Sequence, residues 1–188
     1  MATREFPLEP DQIYHICNRG VNKEDIFFSD RNYQFFIRQM YKYLSPRSEI
    51  ISYCLMPNHF HLLLKVTFTD FTKLSLQLFL MSYSKAINSE RNRVGSLFQG
   101  RFKSSLIVDD AYLLDCFKYI HLNPVKALLV KSPELWPYSS YLEYLNPKPI
   151  TRIDTSMIMQ FFENPEELKD FVESGIEEYQ SKYFREES

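Results

Sequence analysis

Apolar positions change their period several times along this chain, and each change marks an element. From Ile13 to Asn18 apolar and polar residues alternate with the two-residue period of a strand, and a polar loop through Arg19, Gly20 and Asn22 follows. Ser29 or Asp30 then caps a helix in which Phe35, Phe36, Met40, Tyr43 and Leu44 form a one-sided apolar face, closed by Pro46. Glu49 to Leu55 reads as a second strand, Met56-Pro57-Asn58 as a turn and His59 to Val66 as a third strand, so these two strands should form an antiparallel hairpin. Phe71, Leu74, Leu78, Met81 and Ile87 recur at helical spacing and predict a second long helix over about Asp70 to Ser89, ended by the polar run Asn92 to Gly100. Phe102 to Val108 supplies a fourth strand, and Asp109 or Asp110 caps a third helix carrying Leu113, Leu114, Phe117, Tyr119 and Ile120. Proline lacks the N–H that a helix interior uses, so this helix is expected to bend or restart around Asn123, ahead of Pro124. Pro147 and Pro149 mark a linker-like break, and residues 151–184 read as one or two short acidic helices. The expected organisation is a main unit over residues 1–146 and a helical C-terminal extension over residues 147–188.

Composition narrows the class. A chain of 188 residues that is 45% hydrophobic holds material for one buried core and little reason for two. No apolar stretch is long enough to cross a bilayer, and the start MATREFPLEP lacks the apolar middle of a secretory signal, so a cytoplasmic protein without a membrane partner is expected. Cys17, Cys54 and Cys116 are odd in number and widely spaced, which argues for reduced, buried thiols rather than a disulfide framework or zinc knuckle. The formal charge of -2 divides unevenly: residues 1–150 carry 18 Lys and Arg against 14 Asp and Glu, whereas residues 151–188 carry 4 against 10. A modestly basic body with an acidic tail is compatible with a polyanion partner, but charge of this size does not predict one.

Two constellations carry chemistry. In His59-Phe60-His61 the strand period sends both imidazoles to one face and Phe60 to the other, so the two histidines can grip one metal. His15 and His121 stand alone in the sequence, and no role is assigned to either. In Tyr119-Ile120-His121-Leu122-Asn123-Pro124, Tyr119 and Asn123 lie one helical turn apart on one face, so that a hydroxyl and an amide oxygen approach the same region.

The segments YHICNRG, CLMPNHFHLLL, LFQGRFKSSLI and YIHLNPVKALLV, in this order, resemble the single-tyrosine HUH transposases. The asparagine after the tyrosine resembles their REP-associated branch in particular. The resemblance covers roughly residues 12–140. It implies an α+β fold, a ferredoxin-like antiparallel sheet with helices packed on one face, in agreement with the element order above. It further implies that His59 and His61 are the metal pair, Tyr119 the nucleophile and Asn123 the third ligand, with Mg2+ or Mn2+ as the ion.

The function so implied is a metal-dependent endonuclease and strand transferase acting on single-stranded or hairpin DNA, including repetitive extragenic palindromes. Tyr119 would attack phosphorus, leaving a 5′-phosphotyrosine and a free 3′-hydroxyl. Arg19, Gln99, Arg101, Lys103 and Lys126 are candidates for holding the DNA. Two alternatives stay open: a DNA-binding module of the same fold that no longer cuts, and a hydrolytic phosphodiesterase in which water replaces Tyr119. A monomer and a homodimer are both compatible with the sequence.

Overall fold

Alternating and continuously apolar runs both build strands here, and the order in which four of them pair sets the architecture. The protein, seen here as a computed structural model, is described over residues 8–146 and 152–186, with side chains up to residue 176. Strands β1 (Ile13–Arg19), β2 (Ser48–Met56), β3 (His59–Val66) and β4 (Lys103–Ile107) form one sheet in the order β2-β3-β1-β4. Every neighbouring pair is antiparallel. Helix α1 (Asp30–Tyr43) connects β1 to β2, and α2 (Gln77–Glu90) connects β3 to β4. This is the ferredoxin-like order expected from the sequence.

The two crossover helices share a face of the sheet because their apolar stripes meet the same strand residues. Phe36 of α1 is fully buried, with its ring 5.1 Å from Phe60 of β3, 4.7 Å from Phe79 and 4.8 Å from Tyr83 of α2. A π-type turn, Thr72–Leu76, runs into α2 and completes the helix expected from about Asp70. Ser29 stands at the N-cap of α1 without a side-chain cap bond; instead Asn32 Oδ1 accepts the Phe28 N–H at 3.0 Å.

Helix α3 (Asp110–Lys126) is an addition to that unit and lies against the opposite face, that of the histidines. Asp109 caps it, accepting the Tyr112 N–H at 2.7 Å. It runs through Pro124 without restarting, which departs from expectation. Pro124 deprives the Ile120 carbonyl of its usual donor, and the Asn123 side-chain amide turns back instead, donating to Tyr119 O at 2.8 Å and Ile120 O at 3.4 Å.

Helix α4 (Tyr141–Leu145) ties this layer to the sheet, with Tyr144 Oη donating to Ile51 O at 2.7 Å. The C-terminal stretch forms one short helix, α5 (Ser156–Met159), and one long helix, α6 (Pro165–Glu186), where only short helices were expected. Leu168 and Val172 of α6 are fully buried, so packing rather than local propensity sustains its length. At Gly175 a Cβ would lie 2.6 Å from Leu122 Cδ1, so α6 approaches α3 where a side chain is missing. The expected boundary at 146/147 and the break at Pro147 and Pro149 lie outside the described residues. Cys17, Cys54 and Cys116 are all free thiols.

Candidate active site

Strand alternation and register bring the chemistry to one place. Phe60 points into the aromatic core while His59 and His61 project to the face beneath α3, their rings 5.1 Å apart. Antiparallel pairing sets Arg19 opposite His59 and Cys17 opposite His61. The Tyr119 ring stands edge-on above this floor, 5.4 Å from the His61 ring and 6.2 Å from that of His15. A cleft of about 450 Å³ opens here, lined by Arg19, His59, His61, Gln99, Lys103 and Tyr119 among others.

Most of the residues singled out in the sequence therefore converge. Arg19 Nε donates to Gln99 Oε1 at 2.6 Å, joining two of the candidate DNA contacts across the cleft rim. Lys126 places its ammonium 5.1 Å from the Tyr119 ring centroid, one face of α3 serving both. Asn123 lies beside Tyr119 but spends its amide hydrogens on backbone carbonyls, so Oδ1 is the atom it would offer a metal. Arg101 is exposed and does not line the cleft.

Burial tunes these groups in a consistent direction. His59 is held below its usual pKa by burial and then by the Arg19 guanidinium. His61 is held well below it, by burial first and by His15 and His59 next. Both imidazoles are thus neutral at physiological pH, the state in which nitrogen has a lone pair to give a metal. Tyr119 is 42% exposed, yet burial of part of the phenol and the nearby Cys17 raise its pKa, while a hydrogen bond with Asn123 opposes them. The phenol accordingly holds its proton until a substrate or metal changes its surroundings.

Sequence reasoning missed two members of this floor. His15 Nε2 lies 2.8 Å from His61 Nδ1 with the rings stacked at 5.1 Å, and Cys17 lines the cleft. One ligand atom from each of His15, Cys17 and His61 lies within 4.8 Å of the others. The signal was present, since His15 and Cys17 share a strand face by the same alternation as His59 and His61, but their partner lies across a strand pair. His121 is placed elsewhere, in the core: Nδ1 donates to Phe117 O at 3.1 Å and Nε2 accepts from Ser140 Oγ at 3.0 Å.

No protein-family model matches the chain. A Haemophilus influenzae protein bearing the name of a REP-associated tyrosine transposase is 32% identical over 103 residues, which is 50% of this chain and 58% of that protein. The chain thus spans less than two thirds of the length of this relative. The structure of a REP-associated tyrosine transposase bound to a REP hairpin superposes with a TM-score of 0.62 at 18% identity, covering 82% of this chain and 93% of the other. The resemblance to the REP-associated tyrosine transposases therefore holds in sequence and in fold. Among the described residues no helix is long and apolar enough to cross a membrane.

Proposed function

We propose that this protein is a metal-dependent endonuclease and strand transferase of single-stranded DNA, acting on hairpin substrates through a 5′-phosphotyrosine. The observation that supports it best is the seat of Tyr119, 5.4 Å from the His61 ring and in one cleft with His59. The matched relative's name and the REP hairpin held by the structural neighbour point to the same class of substrate.

A divalent ion fits the residues present. His61 Nε2 is buried with no hydrogen-bond partner, an atom for which a metal supplies the missing contact. His59 and His61 would hold the ion, with Asn123 Oδ1 as a third donor, and an ion such as Mg2+ or Mn2+ would withdraw charge from the scissile phosphate. Arg19, Lys103 and Gln99 line the same cleft and would position the phosphodiester backbone, while Arg101 and Lys126 extend the basic surface around it. Tyr119 Oη attacks phosphorus in line with the 3′-oxygen; the phenol proton passes to solvent, the P–O3′ bond breaks, and the departing 3′-oxygen takes a proton from solvent to become a hydroxyl. The phosphotyrosine keeps the energy of the broken ester, so an incoming 3′-hydroxyl can displace Tyr119 and join strands. Residues 1–146 would carry this chemistry, and the acidic extension would contribute through its packing on α3.

Tyr119→Phe tests the assignment, because it keeps the ring and deletes only the attacking oxygen. With manganese and a single-stranded hairpin, the native protein should yield a covalent protein–DNA species stable to denaturing electrophoresis. Tyr119→Phe should yield none and cut at least about a thousandfold more slowly. Tyr112→Phe, two turns earlier on α3, should still cut. Wild-type cutting by Tyr119→Phe would make a water or another tyrosine the nucleophile.

A further inference from the structure

His15 and Cys17 have no part in the reaction just described, yet they share the sheet face of His61. The register sets Cys17 directly opposite His61, and His61 turns Nδ1 toward His15 Nε2, 2.8 Å away. With one ligand atom from each residue inside 4.8 Å of the others, the group is compact enough to close on a single ion. Two imidazoles and a thiol are the donors of zinc sites that leave a fourth position for water, whereas magnesium and manganese favour oxygen. Cys17 and His61 line the cleft, so an ion has a route to them. Burial raises the pKa of the Cys17 thiol and the Lys103 ammonium, opposite it in the β1–β4 pair, works against that rise, so the metal itself must displace the thiol proton.

We propose that His15, Cys17 and His61 form a second metal site, selective for zinc-class ions, whose occupation disables the His59–His61 pair. This rests on the assignment of His59 and His61 made above, but the zinc site itself does not. A neutral imidazole has one nitrogen lone pair to give. When His61 serves with His59, Nδ1 carries the ring proton and donates it to His15 Nε2, and the lone pair sits on Nε2. An ion between His15, Cys17 and His61 takes Nδ1 instead. The ring proton then relocates to Nε2, the Cys17 thiol proton goes to solvent, and zinc gains two nitrogens and a thiolate. His61 Nε2–H is now a donor and cannot bind the catalytic ion. The two occupancies exclude each other with no movement of the backbone.

Cobalt(II) serves as the spectroscopic probe for zinc. Titrated into the metal-free full chain without DNA, it should bind one to one and produce a near-ultraviolet thiolate-to-cobalt charge-transfer band. Cys17→Ser should lose the band and weaken cobalt binding by at least about tenfold, and Cys17→Ala repeats the test without a hydroxyl ligand, while His59→Ala keeps the band. In a second arm, paramagnetic resonance of manganese should show one equivalent of zinc weakening manganese binding at least about tenfold more in the native chain than in Cys17→Ala, where zinc competes only directly at the His59–His61 pair. Cobalt binding without the band, or a band that survives both Cys17 variants, overturns the site. A band accompanied by manganese binding that zinc weakens equally in the native chain and in Cys17→Ala overturns the switch. If no hairpin gives a phosphotyrosine but the band appears, the proposed reaction falls and the zinc site stands; nicking without the band gives the reverse.

Discussion

His61 and His121 are both buried imidazoles that burial keeps neutral, His121 with a pKa lowered to about 3, and both sit in segments that drew attention in the sequence. Their nitrogens are in opposite states. His121 uses both, bridging the Phe117 carbonyl of its own helix to the Ser140 hydroxyl, which in turn accepts the Tyr53 N–H of β2 at 2.9 Å. It fastens α3 to the sheet. His61 uses Nδ1 toward His15 and leaves Nε2 buried without a partner. A buried group left unpaired costs about 1–3 kcal/mol, so the fold carries this atom at a loss that a bound ion would offset. Two histidines of equal burial are thus told apart by what their second nitrogen touches.

The largest effect that would break this comparison is on chemistry. His61→Ala should reduce hairpin cutting by at least about a thousandfold and remove measurable manganese affinity in calorimetry. It should cost the apoprotein less than His121→Ala does, because the orphaned nitrogen leaves with the ring and offsets part of the lost His15 bond and packing. His121→Ala should do the opposite, lowering unfolding free energy by about 2–4 kcal/mol through the lost bonds and the cavity, while manganese affinity stays within about twofold. If His121→Ala loses manganese at unchanged stability, the roles assigned to the two rings are exchanged.

What could be read from the sequence follows the range of the forces involved. The strands were legible because their signals are local, alternation in Ile13 to Asn18 and a short apolar run bounded by turn residues in Glu49 to Leu55, which was expected where Ser48–Met56 is found. The His59–His61 pair was legible from a short-range pattern, two imidazoles at strand spacing, whereas Tyr119 was singled out by the family resemblance and not by its one-turn spacing from Asn123. The continuation of α3 was not, since the rule against proline is local and its remedy at Asn123 is a particular side-chain bond. The partnership of His15 with His61 spans 46 residues and depends on the register of β1 against β3, which no single segment encodes. The length of α6 likewise depends on the burial of Leu168 and Val172 against the rest of the fold, a tertiary matter.

Acid tests the structural role of His121 by a smaller amount. All 4 histidines of the chain have folded-state pKa values below 6.5, His15 near 4 and His121 near 3. Above pH 6.5 both folded and unfolded states hold these rings neutral, and no stability depends on them. Below it the unfolded chain takes up protons that the folded chain refuses, so stability falls as pH drops, for His121 all the way to about 3. Each such ring contributes about 1.4 kcal/mol per pH unit. Urea unfolding at pH 6.0, 5.5 and 5.0, as an order-of-magnitude sampling of this window, should therefore show His121→Leu with a slope shallower by about 1.4 kcal/mol per unit than the native chain. An unchanged slope would mean that His121 titrates normally in the folded state and that its two hydrogen bonds are not made in solution.

The smallest expected effect concerns His59, the ring between these extremes, which is lowered by burial and additionally by a cation. Arg19 stands opposite it in the β1–β3 register and is tied to Gln99 rather than to a carboxylate, so its positive charge is felt by the imidazole. Arg19→Gln removes that charge and keeps a polar side chain of comparable reach. Protonated His59 then loses a repulsion, and its pKa must rise. Proton NMR titration of the metal-free protein should show the His59 ring resonances moving their midpoint upward, while those of His121, enclosed in the core, stay where they are. Because a protonated ring cannot bind a metal, manganese affinity in the variant should begin to fall at a higher pH than in the native chain. Burial is the larger cause of the lowered pKa and remains in the variant, so the midpoint should still lie below that of a free histidine. A downward shift, or an equal shift at His121, would show that the substitution acts by rearranging the cleft and not through the charge of Arg19.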